Sequence, residues 1–479
     1  MITNLSYYEK QEENSSIGSR KGGVETVTAT RDMTTGNTGR HILTFLLPVL
    51  LANIFQQFYG IVDTVIVGRV MDVNALSAVG CSTTVVFFMT GFTTGMTSGF
   101  SILTAQYFGA GQGEQVKRSF TAGCVLSMAV AVVLTVVFVS LARPIYVALE
   151  TPPELLDYAV EYTTVIYLGT FATVLFNLMS SMIRALGDSR TPLVFLILSG
   201  ILNIALDFLL VGWIGVAGAA WATVLSQLLS GVLCILYARK KFPLLKLVRL
   251  RLVSWREMAR HLKMGLPLGF QMSMVVLGMI IVQRSLNMLG TDAVAAFTAA
   301  SKIDNVVTQI PFAFGITMAT FTAQNYGAGR LDRVRRGMRQ CCAMAAVAAL
   351  LVAAVEILAG GWMAELFLGI SDENVIAMSR EYFLLNGAPC IIVALLFVCR
   401  NAIQGLGNSS VPILSGVIEL ATRIGTVLLL APTLGFTAVC LANPAAWVTG
   451  MVPLVIAYFV MMRRLSAKAQ LEQPADGKL

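Results

Sequence analysis

The sequence predicts an all-α polytopic membrane protein with twelve transmembrane helices in two six-helix bundles. Its 479 residues are 56% hydrophobic and 13% charged, whereas a soluble domain carries roughly a quarter charged residues. Apolar segments long enough to cross a bilayer follow one another from residue 42 onward. Two pairs of motifs also recur at a spacing of about 220 residues. These observations exclude a water-soluble fold and indicate a duplicated one.

Each predicted span holds the roughly 20 mostly apolar residues that a helix needs to cross the hydrocarbon core. A β-barrel is excluded because runs such as CVLSMAVAVVLTVVFVSLA, at 124–142, do not alternate between polar and apolar residues. The backbone polar groups must then be satisfied within helices. The twelve predicted spans are 42–68, 75–103, 119–142, 159–183, 192–213, 215–238, 262–289, 293–321, 338–358, 379–404, 412–432 and 434–462.

Two pairs of motifs carry the internal repeat. TAQYFGAG at 104–111 returns as TAQNYGAG at 322–329, and LGDSRTP at 186–192 returns as LGNSSVP at 406–412. Each half has an even number of spans, so the halves enter the membrane from the same side and are related by a pseudo-two-fold axis along its normal. Two such bundles suit alternating access around a central site, although a duplicated scaffold or channel is also compatible with the repeat.

The spans and the charges divide the chain into five regions. Lys and Arg concentrate in alternate loops, which predicts that both termini are cytoplasmic. The net charge of +8 is interpreted as this topology signal, with contacts to membrane lipids and no nucleic-acid partner. We expect a monomer in the plasma membrane, the inner membrane of a bacterium. The regions are a disordered cytoplasmic N-terminal tail at 1–40, an N-lobe at 41–238, a basic cytoplasmic linker at 239–261, a C-lobe at 262–462 and a cytoplasmic tail at 463–479.

The sequence has no pattern typical of an enzyme or of a metal site. The eight cysteines lie mostly inside apolar spans without a CxxC spacing, which favours small buried hydrophobic residues. Only His41 and His261 are present, and neither belongs to a catalytic or metal-binding motif. No Walker A motif occurs, which argues against ATP-driven transport by this chain. We therefore expect no enzymatic activity, no metal site and no bound cofactor.

Two carboxylates in the first half are candidates for ion coupling. A charged side chain deep in a spanning helix costs about 2.5 to 3.5 kcal/mol, so it needs a partner or a function. Asp63 lies in span 1 and Asp207 in span 5 at similar depth. Asn203 precedes Asp207 by one helical turn, and Thr223 lies at comparable depth in span 6. Together they could hold a hard monovalent cation or share a proton; alternatively, the two acids only hydrogen-bond across helices, with one permanently protonated.

The second half has a different charge pattern at the equivalent positions. Glu419 and Arg423 are spaced i, i+4 with the acid first, which favours an ion pair within one helix. Arg423 stands where the first half has Asn203, and its charge would repel a cation. We therefore expect no cation site in the second half.

A proline inside span 1 is a candidate for helix bending. Pro48 lies in span 1, and Pro267 occupies the equivalent position in span 7. A proline within a helix removes one hydrogen bond and permits a kink. Our hypothesis is that protonation or ion release at Asp63 is coupled to bending at Pro48.

The sequence resembles the multidrug and toxic compound extrusion (MATE) family over about residues 40–462. The resemblance implies a twelve-helix protein with a V-shaped cavity that exports amphipathic organic cations in exchange for inward H+ or Na+. Organic cations are then the partners, and the coupling ion takes the place of a cofactor. The motifs that carry it are PVLLANIFQQFYGIVDTVIVGR, TAQYFGAG, RALGDSRTPLVFLILSGILNIALD, GVAGAAWATVLSQ and TAQNYGAG.

The same resemblance assigns roles to individual residues. Tyr59 and Asn177 resemble neighbours of the family's N-lobe pocket in the substrate cavity. Span 7 has Gln271 and Met272 in the stretch where some branches carry a glutamate, so the sequence resembles the DinF-like or MepA-like branch. The family's N-lobe cation-coupling positions fall on Asp63, Asn203, Asp207 and Thr223.

Two other transport functions stay open at this point. Related two-bundle exporters flip lipid-linked saccharides, and a wider basic cavity with additional helices would favour that function. A selective channel would pass ion current without exchanging a substrate.

Overall fold

The computed structural model describes residues 32–71, 73–368 and 372–471, and every regular element within these ranges is helical. Ten helical segments in this part of the chain are long and apolar enough to cross a membrane, and two bent helix pairs raise the number to twelve if each pair is one span. A short 3-10 helix spans Leu250–Leu252. The α-helices are α1 (Thr38–Val70), α2 (Val73–Gly109), α3 (Gly113–Ala148), α4 (Pro153–Leu168), α5 (Thr170–Ala185), α6 (Arg190–Ile214), α7 (Val216–Lys241), α8 (Trp255–Asn287), α9 (Thr291–Val307), α10 (Gln309–Gly327), α11 (Leu331–Leu368), α12 (Glu373–Gly387), α13 (Cys390–Gly405), α14 (Ser410–Leu434) and α15 (Phe436–Leu471).

Two predicted spans are bent at equivalent places in the two halves. Helices α4 and α5 meet at Gly169 at an angle of 48°, and α12 and α13 meet at 44° just before Cys390. In the second pair Pro389 has no backbone N–H with which to continue the helical hydrogen bonds. In the first pair the backbone at Gly169 packs so closely on α7 that an added Cβ would lie 2.1 Å from Val224 Cγ2. One bend therefore follows a missing donor and the other a close helix contact.

Helices α1 and α8 interlock the two halves. In the first half of α1, Ile42 and Phe45 are buried in a core that they share with Phe314 of α10. The rest of α1 continues into the N-lobe and packs along α6. Helix α8 does the reverse: its His261 Nε2 lies 2.9 Å from Ser119 Oγ of α3. Because each lobe holds the first turns of the other lobe's first helix, the lobes cannot separate at this end unless α1 and α8 move.

The start of the described chain corrects a predicted boundary. Residues 32–40, which we assigned to a disordered tail, are folded against the C-lobe. Met33 is buried, and its N–H donates to Gln324 Oε1 at 3.1 Å. The remainder of the predicted tail, 1–31, lies outside the described residues. The guanidinium of Arg333 donates at 2.8 to 2.9 Å to the carbonyl oxygens of Met33, Thr35 and Gly36.

The linker and the C-terminal tail are also more helical than predicted. Helix α7 continues to Lys241, which shortens the linker at its start. At its end, Ser254 and Glu257 form a capping box: Glu257 N–H donates to Ser254 Oγ at 3.2 Å, and Ser254 N–H donates to Glu257 Oε2 at 2.8 Å. Helix α15 extends to Leu471, inside the predicted tail, and 472–479 lie outside the described residues.

Candidate functional site

A polar pocket lies inside the N-lobe between α1, α6 and α7. Asn203 and Asp207 are fully buried, and Asp63 is 9% exposed. Asn203 Nδ2 donates to Thr223 Oγ1 at 3.4 Å, which links α6 to α7. The carboxyl groups of Asp63 and Asp207 face each other, and the side chain of Tyr59 lies beside both of them and Thr223. The structure thus brings the four predicted coupling residues together with Tyr59, and we call these five residues the N-lobe pocket.

Small residues allow the three helices to approach one another around this pocket. An added Cβ on Gly200 of α6 would lie 2.6 Å from the Phe55 ring of α1. On Gly218 of α7 it would lie 2.4 Å from the carbonyl oxygen of Leu210 in α6. The tight turn between α6 and α7 is made at Gly215, whose φ of 63° favours glycine. This turn sets α7 beside α6 and Thr223 opposite Asn203.

The N-lobe pocket holds more acceptor oxygens than donors. Asp63 Oδ1, Asn203 Oδ1 and both carboxylate oxygens of Asp207 are buried and receive no hydrogen bond from the described residues. Two adjacent buried carboxylates repel each other, and a shared proton or a bound cation relieves that repulsion. The described residues contain no group of three or more His, Cys, Asp or Glu side chains that could hold a metal ion. A cation would therefore rely on the two carboxylates and neutral oxygens, as hard cations can.

Two predicted residues lie outside this pocket. Asn177 of α5 donates from Nδ2 to Thr94 Oγ1 of α2 at 3.2 Å, so its amide faces α2. Pro48 lies inside α1, which continues through it as one helix from Thr38 to Val70. Bending at Pro48 stays a prediction.

The C-lobe repeats the geometry of the pocket with different chemistry. With the repeat spacing, Arg423 and Asn443 occupy the positions of Asn203 and Thr223. Arg423 Nε donates to Asn443 Oδ1 at 3.0 Å, so the same two positions are hydrogen-bonded in both lobes. The positions of Asp63 and Asp207 are taken by valines, which are buried in an apolar core of the C-lobe: Val282 and Val427.

The predicted ion pair within one helix is wrong. Glu419 pairs with Arg400 of α13, and Ser415 Oγ donates to Glu419 Oε1 at 2.9 Å. No carboxylate among the described residues lies within 4.0 Å of the Arg423 guanidinium. Arg400 is itself buried and requires a counter-charge, and Glu419 supplies it. The pairing crosses two helices, and Arg423 is directed towards α15 instead.

The two lobes are joined at one end by a reciprocal pair of contacts. Gln106 Nε2 of α2 donates to the carbonyl oxygen of Gly405, and Gln324 Nε2 of α10 donates to that of Ala185, both at 2.8 Å. Both glutamines come from the repeated TAQ motif. Next to them, Gly109 and Gly327 bring the backbones together, and an added Cβ on either would lie 1.9 Å from a carbonyl oxygen of the other lobe. We call Gln106, Gly109, Gln324 and Gly327 the interlobe seal.

Comparison with known families identifies the chain. The MatE family model matches residues 48–209 and 267–429, one stretch in each lobe and together more than half of the chain. The chain belongs to the MatE family. Members of this family are transporters, so the prediction of an efflux transporter rather than an enzyme is confirmed.

Curated MatE relatives match over about two thirds of their length. The probable multidrug resistance protein YoeA of Bacillus subtilis (strain 168) is 31% identical over 310 residues, which cover 63% of this chain and 67% of that protein. The probable multidrug resistance protein YpnP of the same organism is 29% identical over 308 residues, which cover 63% of this chain and 68% of that protein.

The MatE fold is also seen in solved structures. A structure described as the outward-facing conformation of a multidrug resistance MATE family transporter of the MOP superfamily superposes with a TM-score of 0.84 at 20% identity. The superposition covers 93% of this chain and 99% of the chain in that structure. The predicted fold class, twelve transmembrane helices in two bundles, is confirmed. The DinF-like or MepA-like branch stays a prediction.

This MatE protein also has a second acidic pair, buried Glu356 and half-buried Asp304, which the sequence pattern did not predict. Tyr382 Oη donates to Asp304 Oδ2 at 3.1 Å. Glu356 of α11 is buried nearby, and its Oε1 has no hydrogen-bond partner among the described residues. Glu356 is close to the predicted end of its span and thus resembled an interfacial acid. Only its contact with α12, where Glu356 Oε2 lies 3.3 Å from the Cβ position of Gly387, reveals that it points inward.

Proposed function

We propose that the chain exports amphipathic organic cations in exchange for inward protons or sodium ions. The observation that carries this proposal is the facing pair of buried carboxylates, Asp63 and Asp207, whose orphaned oxygens require a proton or a cation. The multidrug resistance relatives support the substrate class. No observation favours a lipid-linked saccharide flippase over this function.

Helix α1 can transmit the state of the N-lobe pocket to the C-lobe. Its first turn contacts the C-lobe, where Thr38 Oγ1 donates to Gln340 Oε1 of α11. Asp63 lies about seven residues before its other end, or roughly 10 Å at 1.5 Å per residue. Pro48 lies between the two. Neutralising Asp63 with a proton or an ion would therefore alter α1 at the pocket, and bending at Pro48 would move the turns that hold the two lobes together.

The orientation in the membrane follows from the charged loops. We assign the interlobe seal and both termini to the cytoplasm, since the basic residues 239–251 and 330–336 lie on that side. In this orientation the lobes are closed towards the cytoplasm, and the N-lobe pocket lies in the outer half. The protein would act as a monomer in the plasma membrane of a bacterium, in contact with its lipids, with no cofactor besides the coupling ion.

The driving force sets a limit that can be measured. If one proton enters as one monovalent cation leaves, the membrane potential cancels, and each tenfold ion gradient supplies about 1.4 kcal/mol. A hundredfold proton gradient would then support roughly a hundredfold gradient of a monovalent dye. More ions per cycle would raise this limit.

Transport by the purified protein in liposomes tests the proposal. Ethidium movement is followed under a pH gradient alone, under a sodium gradient alone, and after an ionophore has collapsed either gradient. We expect dye movement under one gradient only, which names the coupling ion, and its loss with the ionophore. Ethidium movement that depends on neither gradient would contradict antiport. If no organic cation moves in vesicles that do translocate a lipid-linked saccharide, the flippase function is supported instead.

A further inference from the structure

We propose that the C-lobe contains a binding site for the carboxylate of the transported molecule, centred on the guanidinium of Arg423. This inference deepens the proposed function and rests on it: the substrates would include zwitterions with a cationic and an anionic group, besides simple cations. Three features of the C-lobe support this site: its charge balance, the free hydrogen-bonding capacity of Arg423 and its repeat symmetry with the N-lobe pocket.

The charge balance around Arg423 is positive. Arg400, Glu419 and Arg423 are each more than nine-tenths buried. Glu419 neutralises Arg400, with which it forms the ion pair between α14 and α13. The four helices that surround the cluster, α8, α13, α14 and α15, carry one further acidic residue, Glu257, and it is engaged in the capping box in the first turn of α8. One buried positive charge therefore has no counter-charge among the described residues within 4.0 Å, which is a costly arrangement in a membrane.

The Arg423 side chain has donors to spare. A guanidinium carries five N–H groups, and Nε–H is the one that donates to a described residue, Asn443. The two Nη groups form the edge that binds a carboxylate or a phosphate in bidentate fashion. This edge extends to α8 at Gly278, where an added Cβ would lie 2.4 Å from Nη1. A glycine at that position leaves the room that the guanidinium occupies.

The repeat symmetry places groups of opposite charge in the equivalent regions of the two lobes. In the N-lobe pocket, Asn203 is bonded to Thr223 beside two carboxylates; in the C-lobe, Arg423 is bonded to Asn443 beside two apolar side chains. A molecule with an amine at one end and a carboxylate at the other is complementary to both lobes. A simple cation is complementary to the N-lobe alone. Arg423 therefore separates two classes of substrate.

Two rhodamine dyes with the same ring system test the inference. Rhodamine 110 has a free carboxylate, and rhodamine 123 is its methyl ester. In liposomes of phosphatidylcholine, with the gradient that drives the wild type, we expect Arg423→Gln to lower the initial rate for rhodamine 110 about tenfold, as loss of a charge-assisted hydrogen bond would. The rate for rhodamine 123 should change less than about twofold, which also shows that the variant is folded. Arg423→Lys keeps the charge without the bidentate edge, and its rhodamine 110 rate should be intermediate. The exposed Arg284→Gln is the matched control, with no effect on either dye.

The other outcomes are distinguishable. Equal loss for both dyes, or no loss for either, would overturn the carboxylate site while leaving antiport intact. If the wild type moves neither dye under any gradient, the proposed function itself fails. Benzoate should inhibit rhodamine 110 transport by the wild type and not by Arg423→Gln. If instead rhodamine 110 transport by the wild type falls only when phosphatidylglycerol is added to the vesicles, Arg423 binds a lipid phosphate and the inference is wrong.

Discussion

Asp207→Asn is expected to abolish gradient-driven transport without destabilising the protein. The amide keeps the shape of the side chain, but it cannot take up a proton at neutral pH and carries no charge for a cation. Asp207 is fully buried, and neither of its oxygens receives a hydrogen bond from the described residues. Replacing the buried acid by a neutral amide removes the repulsion between two adjacent buried carboxyl groups. Loss of function should therefore come with an unchanged or raised melting temperature.

The measurement pairs initial transport rates in liposomes with thermal unfolding in detergent. Asp157→Asn is the matched control, because it makes the same chemical change at an acid whose side chain is 81% exposed and paired with Arg143 at 3.1 Å. We expect the control to transport like the wild type. Normal gradient-driven transport by Asp207→Asn would contradict its coupling role. Loss of transport together with a clearly lowered melting temperature would mean that Asp207 acts as a structural residue.

A variant that combines Asp63→Asn with Asp207→Asn tests whether the two carboxylates act as one site. If Asp63 and Asp207 share a single proton or cation, each single Asn variant loses coupling and the double variant is no worse. Such non-additivity is typical of residues that act as a unit. Independent sites would instead give a partial defect in each single variant and a larger one in the double.

The N-lobe pocket could be predicted because its signals are local. Asp63 and Asp207 are charges inside apolar runs, and Asn203 shares a helix face with Asp207 through i, i+4 spacing. The depth of each residue follows from its distance to a span end, since the rise per residue is constant. These rules state which residues are at one level of the bilayer. They were sufficient here because α1, α6 and α7 are neighbours.

The C-lobe could not be predicted in the same way, because its contacts depend on which helices face each other. The i, i+4 rule paired Glu419 with Arg423, yet a buried Arg400 on another helix competes more strongly for the carboxylate. The hydrogen bond by which Gln106 of the TAQ motif joins the two lobes could not be predicted either, because its acceptor is a backbone carbonyl in the other lobe. The sequence indicates that a polar residue within the membrane needs a partner, but tertiary packing determines which residue that partner is.

The second large effect is expected at the interlobe seal. Gly109→Ala would place a Cβ 1.9 Å from the carbonyl oxygen of Gln324, and Gly327→Ala would place one 1.9 Å from that of Gln106. The obstructing atoms are backbone atoms, which cannot rotate away as a side chain can. Either substitution should force the lobes apart at this end and weaken the neighbouring hydrogen bonds of Gln106 and Gln324. We expect a clear fall in melting temperature and little residual transport.

Gly80→Ala is the matched control for this prediction. It makes the same substitution in α2, the helix that contains Gly109, but its Cβ would meet no atom within 4 Å. In a helix interior this change should stabilise by roughly 0.5 to 1 kcal/mol. Opening of the seal can be followed separately through alkylation of Ala185→Cys by a membrane-impermeant maleimide, located by mass spectrometry. The buried Ala185 position should become reactive when Gly109→Ala is added and stay protected when Gly80→Ala is added.

Labelling of Ala185→Cys distinguishes opening of the interlobe seal from a general loss of stability. Because the added Cβ clashes only while the lobes are in contact, Gly109→Ala should favour every state in which the seal is open, including the one that takes up substrate from the cytoplasm. Labelling at Ala185→Cys should thus increase more than global unfolding explains, at temperatures well below the melting point. A Gly109→Ala variant as stable, as active and as protected as Gly80→Ala would show that the two lobes do not meet here in the membrane.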